Sequence, residues 1–437
     1  MTAFSRRGAC PALSRPMQTG DGLLVRLNPV AGGFSPNTLI GLAESALRHG
    51  NGVMEVTARG SLQIRGLTPD SASLLAAEVD ALGIAARTGV PVETGPLAGL
   101  DPLEIRNPLP LAQSVREATE SSRLGDRLGP KVSVIVDGGG QLTMDSVPAD
   151  IRLVALNGER WLLSLAGDAR TATRIGALDE SSACGTALAI LQAIAERGRE
   201  ARARDLSPPQ MRKLVEDWID PDESNHEPSV LTRSPVGVLA GLNEKSVVGV
   251  GLPFGSAEAD ALAALCRQAA SAGAGEIRLA QQRALLILGL PLSACMEFQR
   301  SAAALGFIVD ADDPRRRIAA CPGAPACASG HIASRQIAGE IARISGGALD
   351  GLFLHVSGCA KGCAHPGPAP LTLVGHENGK VGLILEGTAR DAPSGYAPSE
   401  SLTLGFRRMA ALQPGENFTT CLTRLGKTRA VAFFQQG

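Results

Sequence analysis

Residues 320–327 read ACPGAPAC and residues 357–366 read SGCAKGCAHP. These two stretches hold four cysteines in two pairs, Cys321 with Cys327 and Cys359 with Cys363, at the spacings C-x₅-C and C-x₃-C. The glycines and prolines around each pair are typical of loops, whose backbone can wrap closely around a bulky inorganic centre. Because four thiolates are the ligand set of a [4Fe–4S] cluster, the pattern predicts that these cysteines hold one.

Two other uses of the four cysteines have to be weighed. Structural zinc sites normally have cysteine pairs two to four residues apart, so the five-residue gap between Cys321 and Cys327 argues against zinc without excluding it. Disulfide bonds require an exported chain. The first twenty residues contain basic residues but no following apolar run, so they do not resemble a signal peptide. The sequence therefore favours a metal centre in a reducing cytoplasm.

The composition excludes several classes of protein. The 437 residues carry a net charge of −1, and aromatic residues make up 3%, so neither a global positive field nor a set of stacking platforms indicates nucleic-acid binding. No stretch approaches the 18 or so consecutive apolar residues of a membrane span. Any anionic ligand must therefore be held by a local group of basic side chains.

Working outward from the cysteines, an internal repeat appears at an offset of 223 positions. Glycines at the ends of the same elements fall in register, at Gly50 and Gly273, Gly66 and Gly289, and Gly83 and Gly306. In the first copy, apolar residues at helical spacing predict a helix over 36–49, alternation predicts two strands around Met54 and Leu62, and a second helix is predicted at about 69–82. Each copy is expected to form a ferredoxin-like half-domain.

A second repeat, at an offset of 220 positions, aligns residues 134–138 with 354–358. The chain is thus predicted to be α+β with four duplicated units: half-domain A1 (1–95), domain B1 (96–204), a linker (205–234), half-domain A2 (235–312) and cluster domain B2 (313–437). In this alignment Gly139 and Thr143 stand where B2 has Cys359 and Cys363. The fold therefore does not require the cysteines, and one cluster per chain is expected.

Basic residues distinguish A1 from A2. Arg59, Gln63 and Arg65 of A1 correspond to Gln282, Leu286 and Leu288 of A2. Gln63 and Arg65 share one face of a predicted strand, which Arg26 of a preceding strand could join. This is either an ordinary solvated face or a surface that grips an anionic ligand through guanidinium groups.

Several further positions carry candidate functional groups. Arg106 and Asn107 stand at the start of B1, and Lys131 precedes its first repeated strand. Lys361 lies between two cluster cysteines, where a cation offsets cluster charge or contacts a substrate. His355 and His365 flank the same pair as candidates for proton transfer or a second metal. Cys10 is left open between a buried thiol and an extra ligand.

On these residues the chain resembles the nitrite/sulfite reductase superfamily. The resemblance covers nearly the whole chain and rests on C-x₅-C…SGC-x₃-C, on the T-x-R-x-x-x-Q porphyrinoid-binding strand at Thr57, Arg59 and Gln63, on the R-N element at Arg106 and Asn107, and on the first lysine of K-F-K at Lys131. It implies an internally duplicated reductase-like fold in which two ferredoxin-like half-domains alternate with two cluster-type domains. The second lysine of K-F-K is Ser133 here, His355 replaces an arginine, and Lys361 replaces an asparagine.

The stretches GACPAL…PMQTGDGLLVRL and HVSGCAKGCAHP resemble a branch of this superfamily that works in aerobic cobalamin biosynthesis. That resemblance implies a monooxygenase that hydroxylates the tetrapyrrole precorrin-3A with dioxygen and closes a lactone. Electrons would come from NADH through an external donor and the [4Fe–4S] cluster, and the branch is associated with an additional non-haem iron. The substrate's carboxylates would be bound by Arg26, Arg59, Gln63, Arg65, Arg106, Asn107 and Lys131, with Lys361 and His355 as catalytic residues. The alternative is a sirohaem-dependent nitrite or sulfite reductase.

Overall fold

A computed structural model describes residues 11–30, 32–215, 233–242, 245–345, 352–410 and 418–435. These residues form an α+β structure with four five-stranded sheets, one for each predicted unit. Each unit places helices against one face of its sheet, where the apolar side chains of the strands are buried. No helix among the described residues is both long enough and apolar enough to span a bilayer.

Half-domain A1 follows the predicted order of elements. Its strands are β1 (Met17–Thr19), β2 (Gly22–Leu27), β4 (Val53–Val56) and β5 (Leu62–Leu67), and its helices are α1 (Pro36–His49) and α2 (Pro69–Ala81). Ser35 caps α1 by accepting a hydrogen bond from the Thr38 amide, and α1 ends at Gly50. Thr68 and Ser71 form a reciprocal capping box at the start of α2. The helices and strands predicted for A1 are confirmed.

Half-domain A2 repeats this arrangement. Its strands are β11 (Gly237–Leu242), β12 (Lys245–Gly251), β14 (Glu276–Ala280) and β15 (Ala284–Pro291), and its helices are α7 (Ala259–Ser271) and α8 (Leu292–Ala304). The strand order of the A1 sheet is β1-β2-β5-β4-β13, where β13 is Ser256–Glu258. The order of the A2 sheet is β11-β12-β15-β14-β3, where β3 is Gly33–Phe34.

The two half-domains exchange short edge strands. Strand β3 (Gly33–Phe34) belongs to A1 by sequence but pairs with β14 of A2, and β13 (Ser256–Glu258) belongs to A2 but pairs with β4 of A1. Buried side chains of α1 and α7 belong to one continuous hydrophobic core. A1 and A2 are therefore joined into a single packed unit.

Domains B1 and B2 share one topology. B1 contains β6 (Val92–Glu93), β7 (Val134–Asp137), β8 (Ala149–Ala155), β9 (Arg160–Gly167) and β10 (Thr173–Asp179), with α3 (Leu109–Ser121), α4 (Leu124–Arg127), α5 (Glu180–Glu196) and α6 (Pro208–Val215). B2 contains β16 (Ile318–Ala320), β17 (Leu354–Ser357), β18 (Ala369–Gly375), β19 (Lys380–Gly387) and β20 (Gly395–Pro398), with α9 (Ser334–Ser345), α10 (Ser401–Ala410) and α11 (Phe418–Gln435).

The strand register agrees with the repeat at 220 positions. In B1, Val134 pairs with Ile151 in parallel, and in B2, Leu354 pairs with Leu371 in the same way. Both copies also have the antiparallel strand pair that comes next. In B1, β8 pairs with β9, and in B2, β18 pairs with β19.

The domain boundaries themselves stay predictions, although the structure bears on the linker. Residues 208–215 of the predicted linker form α6, and Val215 is buried in the B1 core. Most of the remaining linker, residues 216–232, lies outside the described residues.

The outer faces of the two ferredoxin-like sheets differ in chemistry. In A2, Leu286 and Leu288 pack into an apolar cluster with Leu97 and Leu142 of B1. In A1, the corresponding positions are Gln63 and Arg65, both buried. One face is thus closed by hydrophobic contact with B1, whereas the other is polar and faces B2.

Candidate functional site

The two cysteine pairs follow neighbouring parallel strands. Cys321 comes directly after β16, and Cys359 comes two residues after β17. Because β16 and β17 are parallel neighbours, their carboxyl ends lie at the same edge of the sheet. This topology brings together two loops that are far apart in sequence.

The thiols of the two loops lie close enough to influence one another. The pKa of Cys363 is raised by burial and then by the negative charges of Cys321, Cys359 and Cys327. Burial and the Cys327 and Cys321 charges likewise raise the pKa of Cys359. Thiolates that disfavour each other's ionisation form a site that a positively charged centre would stabilise.

The loops also supply a backbone donor to sulfur. The Gly358 amide donates a hydrogen bond to the Cys321 Sγ at 3.1 Å. Hydrogen bonds to ligating sulfurs are one of the means by which proteins set the reduction potential of iron–sulfur clusters. The donor set of four thiols on two loops thus fits a [4Fe–4S] cluster.

The cluster and zinc alternatives differ in the spacing that their ligands need. Within the part of the chain that the structure describes, no group of three or more His, Cys, Asp or Glu side chains is arranged to hold a single metal ion. A zinc site would need its sulfur ligands about 2.3 Å from one point. Four iron atoms span a larger volume, so their thiol ligands stand farther apart than those of one zinc ion.

Lys361 and His355 take different positions around the second loop. Lys361 is exposed, and its Nζ donates to Ser329 Oγ at 2.7 Å, which ties the second cysteine loop to the first. His355 is completely buried on β17, with its ring 5.7 Å from that of His365. Burial, followed by the charges of His365 and Arg283, lowers the pKa of His355 to about 4. The neutral His355 ring packs against the second cysteine loop at Gly362 and is not exposed to solvent.

Arg26 and Gln63 lie in one row across the A1 sheet. Arg26 pairs with Gln63 between β2 and β5, and Gln63 pairs with Glu55 between β5 and β4. With its amide oriented by these neighbours, Gln63 accepts hydrogen bonds from Arg26 and donates to Glu55 Oε2 at 2.9 Å. Leu62 and Ile64 point into the hydrophobic core, as the alternation predicted.

Arg65 has partners that the sequence did not reveal. Its guanidinium donates to both Asp21 oxygens, at 2.8 and 3.0 Å, and lies 3.5 Å from Glu55 Oε2. It also donates to the carbonyl oxygen of Ala326, between Cys321 and Cys327, at 2.9 Å. Burial would lower the pKa of Arg65, but the Asp21 hydrogen bonds and the Glu55 charge outweigh burial and raise it. Arg65 thus forms a bridge between A1 and the first cysteine loop.

Two further contacts hold A1 against this loop. Arg335 of α9 donates to Glu55 Oε1 at 2.5 Å. At Gly20 the turn between β1 and β2 approaches the loop so closely that a Cβ would lie 2.4 Å from the Ala328 amide nitrogen and 2.7 Å from the Cys327 carbonyl carbon. The polar face of A1 therefore packs directly on the cysteine loop.

The other predicted ligand-binding residues lie toward B1. Arg59 is exposed in the turn between β4 and β5 and donates to the Pro148 carbonyl oxygen at 2.8 Å. Arg106 pairs with Glu180 and lies 5.8 Å over the ring of Trp161. These contacts bring Arg59 to the junction of A1 and B1 and hold Arg106 within B1.

Asn107 and Lys131 are both exposed. The Asn107 side chain accepts a hydrogen bond from the Leu109 amide at the start of α3, at 3.0 Å. Cys10 lies outside the described residues, so its predicted alternatives stay open.

Sequence reasoning missed the acidic residues of the polar face. Asp21 and Glu55 neutralise much of the charge that Arg26, Arg65 and Arg335 bring to it. One signal was available for Glu55. It lies between the inward-facing Met54 and Val56 of β4, so it had to point to the same side as Gln63.

Comparison with known proteins agrees with this architecture. The chain is 41% identical to a precorrin-3B synthase from a Sinorhizobium species, over 100% of this chain and 96% of that protein. It is 24% identical to a ferredoxin–nitrite reductase from Synechococcus elongatus, over 85% of this chain and 80% of the relative. Residues 15–82 match the family described as the nitrite/sulfite reductase ferredoxin-like half domain.

The fold also has a counterpart among solved structures. The NirA protein of Mycobacterium tuberculosis superimposes with a TM-score of 0.71 at 18% identity, covering 93% of this chain and 84% of that protein. The similarity confirms the duplicated reductase-like fold predicted from the two repeats.

Proposed function

Because the chain belongs to the precorrin-3B synthase family of the nitrite/sulfite reductase superfamily, we propose that it hydroxylates precorrin-3A with dioxygen and forms a lactone, with electrons supplied through a [4Fe–4S] cluster. The observation that carries the proposal is the contact between the cysteine loops and a sheet face that bears guanidinium groups. Arg65 makes this contact at the Ala326 carbonyl. This contact supports the proposal, because it would put the proposed electron source beside the proposed surface for an anionic macrocycle.

Cys321, Cys327, Cys359 and Cys363 would hold the cluster, which supplies single electrons when bound. The protein's contribution is to fix the two loops that carry these ligands. Lys361 joins the loops through Ser329, and the buried His355 packs behind Gly362, with ring carbon Cε1 near the position of a Cβ on that glycine. We therefore assign both residues to positioning of the ligand loops.

The substrate is a polycarboxylate, and Arg26 and Arg59 are the guanidinium groups we propose to bind it. Arg26 is half-buried beside Gln63, and Arg59 is exposed at the junction with B1. A hydrogen bond to a charged group contributes roughly 1.5–3 kcal/mol, so a few such contacts suffice for firm binding. Arg106, Asn107 and Lys131 stay in the proposal as contacts from the B1 side. Arg65 is proposed as a positioning residue.

The proposed reaction balances with an external donor. One oxygen atom of dioxygen enters the macrocycle and the other leaves as water, which consumes two electrons and two protons. A separate reductase that oxidises NADH would supply the electrons, in a reducing cytoplasm where the thiols stay free of disulfides. The proposal also includes the additional non-haem iron that the resemblance implies, with no ligands assigned to it.

Two observations weigh against reduction of nitrite or sulfite by sirohaem. Ser133 stands where the reductases have a lysine and is buried with an exposed fraction of 4%. His355 stands where they have an arginine and is neutral at physiological pH, because its pKa is about 4. Two cations that would attract a small inorganic anion are therefore replaced by buried, uncharged side chains.

The direct test is to incubate the purified protein with precorrin-3A, isotopically labelled dioxygen and a reductant. The proposal expects a product that has gained one labelled oxygen atom. Arg59→Leu should weaken tetrapyrrole binding far more than Gln282→Leu, its counterpart in A2. An unlabelled product, or a sirohaem absorption spectrum with turnover of nitrite, would contradict the proposal.

A further inference from the structure

A cleft lies at the junction of A1, B1 and A2. It encloses about 120 Å³, enough for several water molecules or a small oxyanion. Four arginines, Arg59, Arg87, Arg116 and Arg278, and one carboxylate, Glu93, contribute the charged side chains of its lining. The charged groups of the lining therefore carry a surplus of positive charge.

All four guanidinium groups have carbonyl or carboxylate partners. Arg87 donates to the Pro29 carbonyl at 3.0 Å and to Glu93 at 3.2 Å. Arg278 pairs with Glu276 at 2.8 Å. Arg59 donates to Pro148, as described above. These bonds fix the orientation of the groups around the cleft before any ligand binds.

Arg116 differs from the other three. Its Nη2 donates to the Val92 carbonyl at 2.8 Å, but its Nε is buried and has no hydrogen-bond partner among the described residues. A buried donor without a partner is costly in a folded protein. Burial, and then the neighbouring charge of Arg87, lowers the pKa of Arg116. The charges of Glu93 and Glu120 offset only part of this effect, so the chain compensates the charge of Arg116 incompletely.

The lining residues of the cleft come from A1, B1 and A2 and not from B2, which carries the cysteine loops. Arg278 occupies the A2 position that corresponds to Glu55 of A1. In A1, the carboxylate of Glu55 accepts a hydrogen bond from Arg335. In A2, the guanidinium of Arg278 donates instead to the Pro96 carbonyl of B1, at 3.2 Å. The arginine at this position is therefore specific to A2 and is not repeated in A1.

We propose that this cleft is a binding site for a carboxylate group, held by Arg116, Arg87 and Arg278. The carboxylate has two possible sources, a small free carboxylate or one arm of a bound tetrapyrrole. The second source rests on the proposed function, whereas the first does not. Planar guanidinium groups suit either one, because they can bind a carboxylate through two parallel hydrogen bonds.

The experiment measures binding of two probes, malonate and uroporphyrin, to the purified holoprotein by calorimetry. Arg116→Leu should lower the affinity for at least one probe by about tenfold or more, because a charge-assisted hydrogen bond is lost. The matched control is Arg123→Leu, which removes the same charge from a side chain that is 85% exposed and should leave both affinities unchanged. Circular dichroism checks folding, and Arg87→Gln is a second variant should Arg116→Leu fail to fold.

Loss of malonate binding would support a free carboxylate as the ligand, and loss of uroporphyrin binding alone would support an arm of the tetrapyrrole. Unchanged affinity for both probes in the Arg116 and Arg87 variants, no binding of either probe to the wild type, or an equal loss in the Arg123 control would overturn the proposal. If the wild type binds malonate but not uroporphyrin, the carboxylate site stands and the proposed function is the part that fails.

Discussion

Replacement of Arg65 by methionine tests how the ferredoxin-like sheet is coupled to the cysteine loop. The guanidinium is 5% exposed, and its partners Asp21 and Glu55 are 16% and 8% exposed. Arg65→Met would leave Asp21 without its cation and the Ala326 carbonyl without this donor. Removing one partner of a buried ion pair costs about 3–5 kcal/mol. Because Arg335 still neutralises Glu55, we expect about 3 kcal/mol, the lower end of this range.

The assay for Arg65→Met combines urea unfolding with iron analysis of the purified protein. The matched control is Arg48→Met, whose guanidinium is 53% exposed and pairs with Glu78. An exposed pair contributes little to stability, because solvent and salt screen it. Arg65→Met should therefore shift the unfolding midpoint more than Arg48→Met and should also lower the iron content. Adding Asp21→Asn to Arg65→Met should recover part of the loss, since no unpaired carboxylate remains there. Equal shifts in the Arg65 and Arg48 variants, with full iron in both, would refute the reasoning.

Three further predictions concern the cluster loops and a buried acid. Cys359→Ser should abolish the absorption of the cluster, whereas the core thiol variant Cys266→Ser should keep its iron, and equal losses would remove the basis of the assignment. Gly20→Ala should lower the iron content, because its Cβ would collide with the first cysteine loop. The control Gly158→Ala should keep its iron, because its Cβ meets nothing within 4 Å. Iron analysis of both purified variants tests this prediction. Burial raises the pKa of Glu104 to about 7. Because this acid binds its proton more tightly when folded, the free energy of unfolding should fall as the pH rises from about 4.5 to about 7, by about 1–2 kcal/mol after discounting for partial exposure. Thermal unfolding of Glu104→Gln should show a weaker dependence of stability on pH. An unchanged dependence in this variant would contradict the assignment.

The repeats allowed much of the fold to be predicted from the sequence. A register that agrees over many positions fixes the order and the type of the elements, and the strand pairs of B1 and B2 reproduce it. The exchange of β3 and β13 was not predictable in this way. Strands of two or three residues are too short to show periodicity, and their pairing depends on contacts far apart in sequence.

The candidate site was predicted less completely than the fold. The cysteine loops could be found because their ligands and their turn residues are local in sequence. The roles of Arg65 and His355 could not, since they depend on burial and on partners from other units. Arg65 looked like a free cation until Asp21 and Ala326 were seen beside it. A sequence shows which charges are present but not which of them neutralise one another.

The account depends on a cluster held next to a surface that binds a tetrapyrrole. The most direct measurement is electron paramagnetic resonance of the reduced protein, recorded with and without bound precorrin-3A. We predict a signal of one [4Fe–4S] cluster per chain whose line shape changes when the tetrapyrrole binds, because the ligand loops and the guanidinium-bearing face are in contact. A signal that is unaffected by bound tetrapyrrole, or a protein that contains one zinc and no acid-labile sulfide, would contradict it.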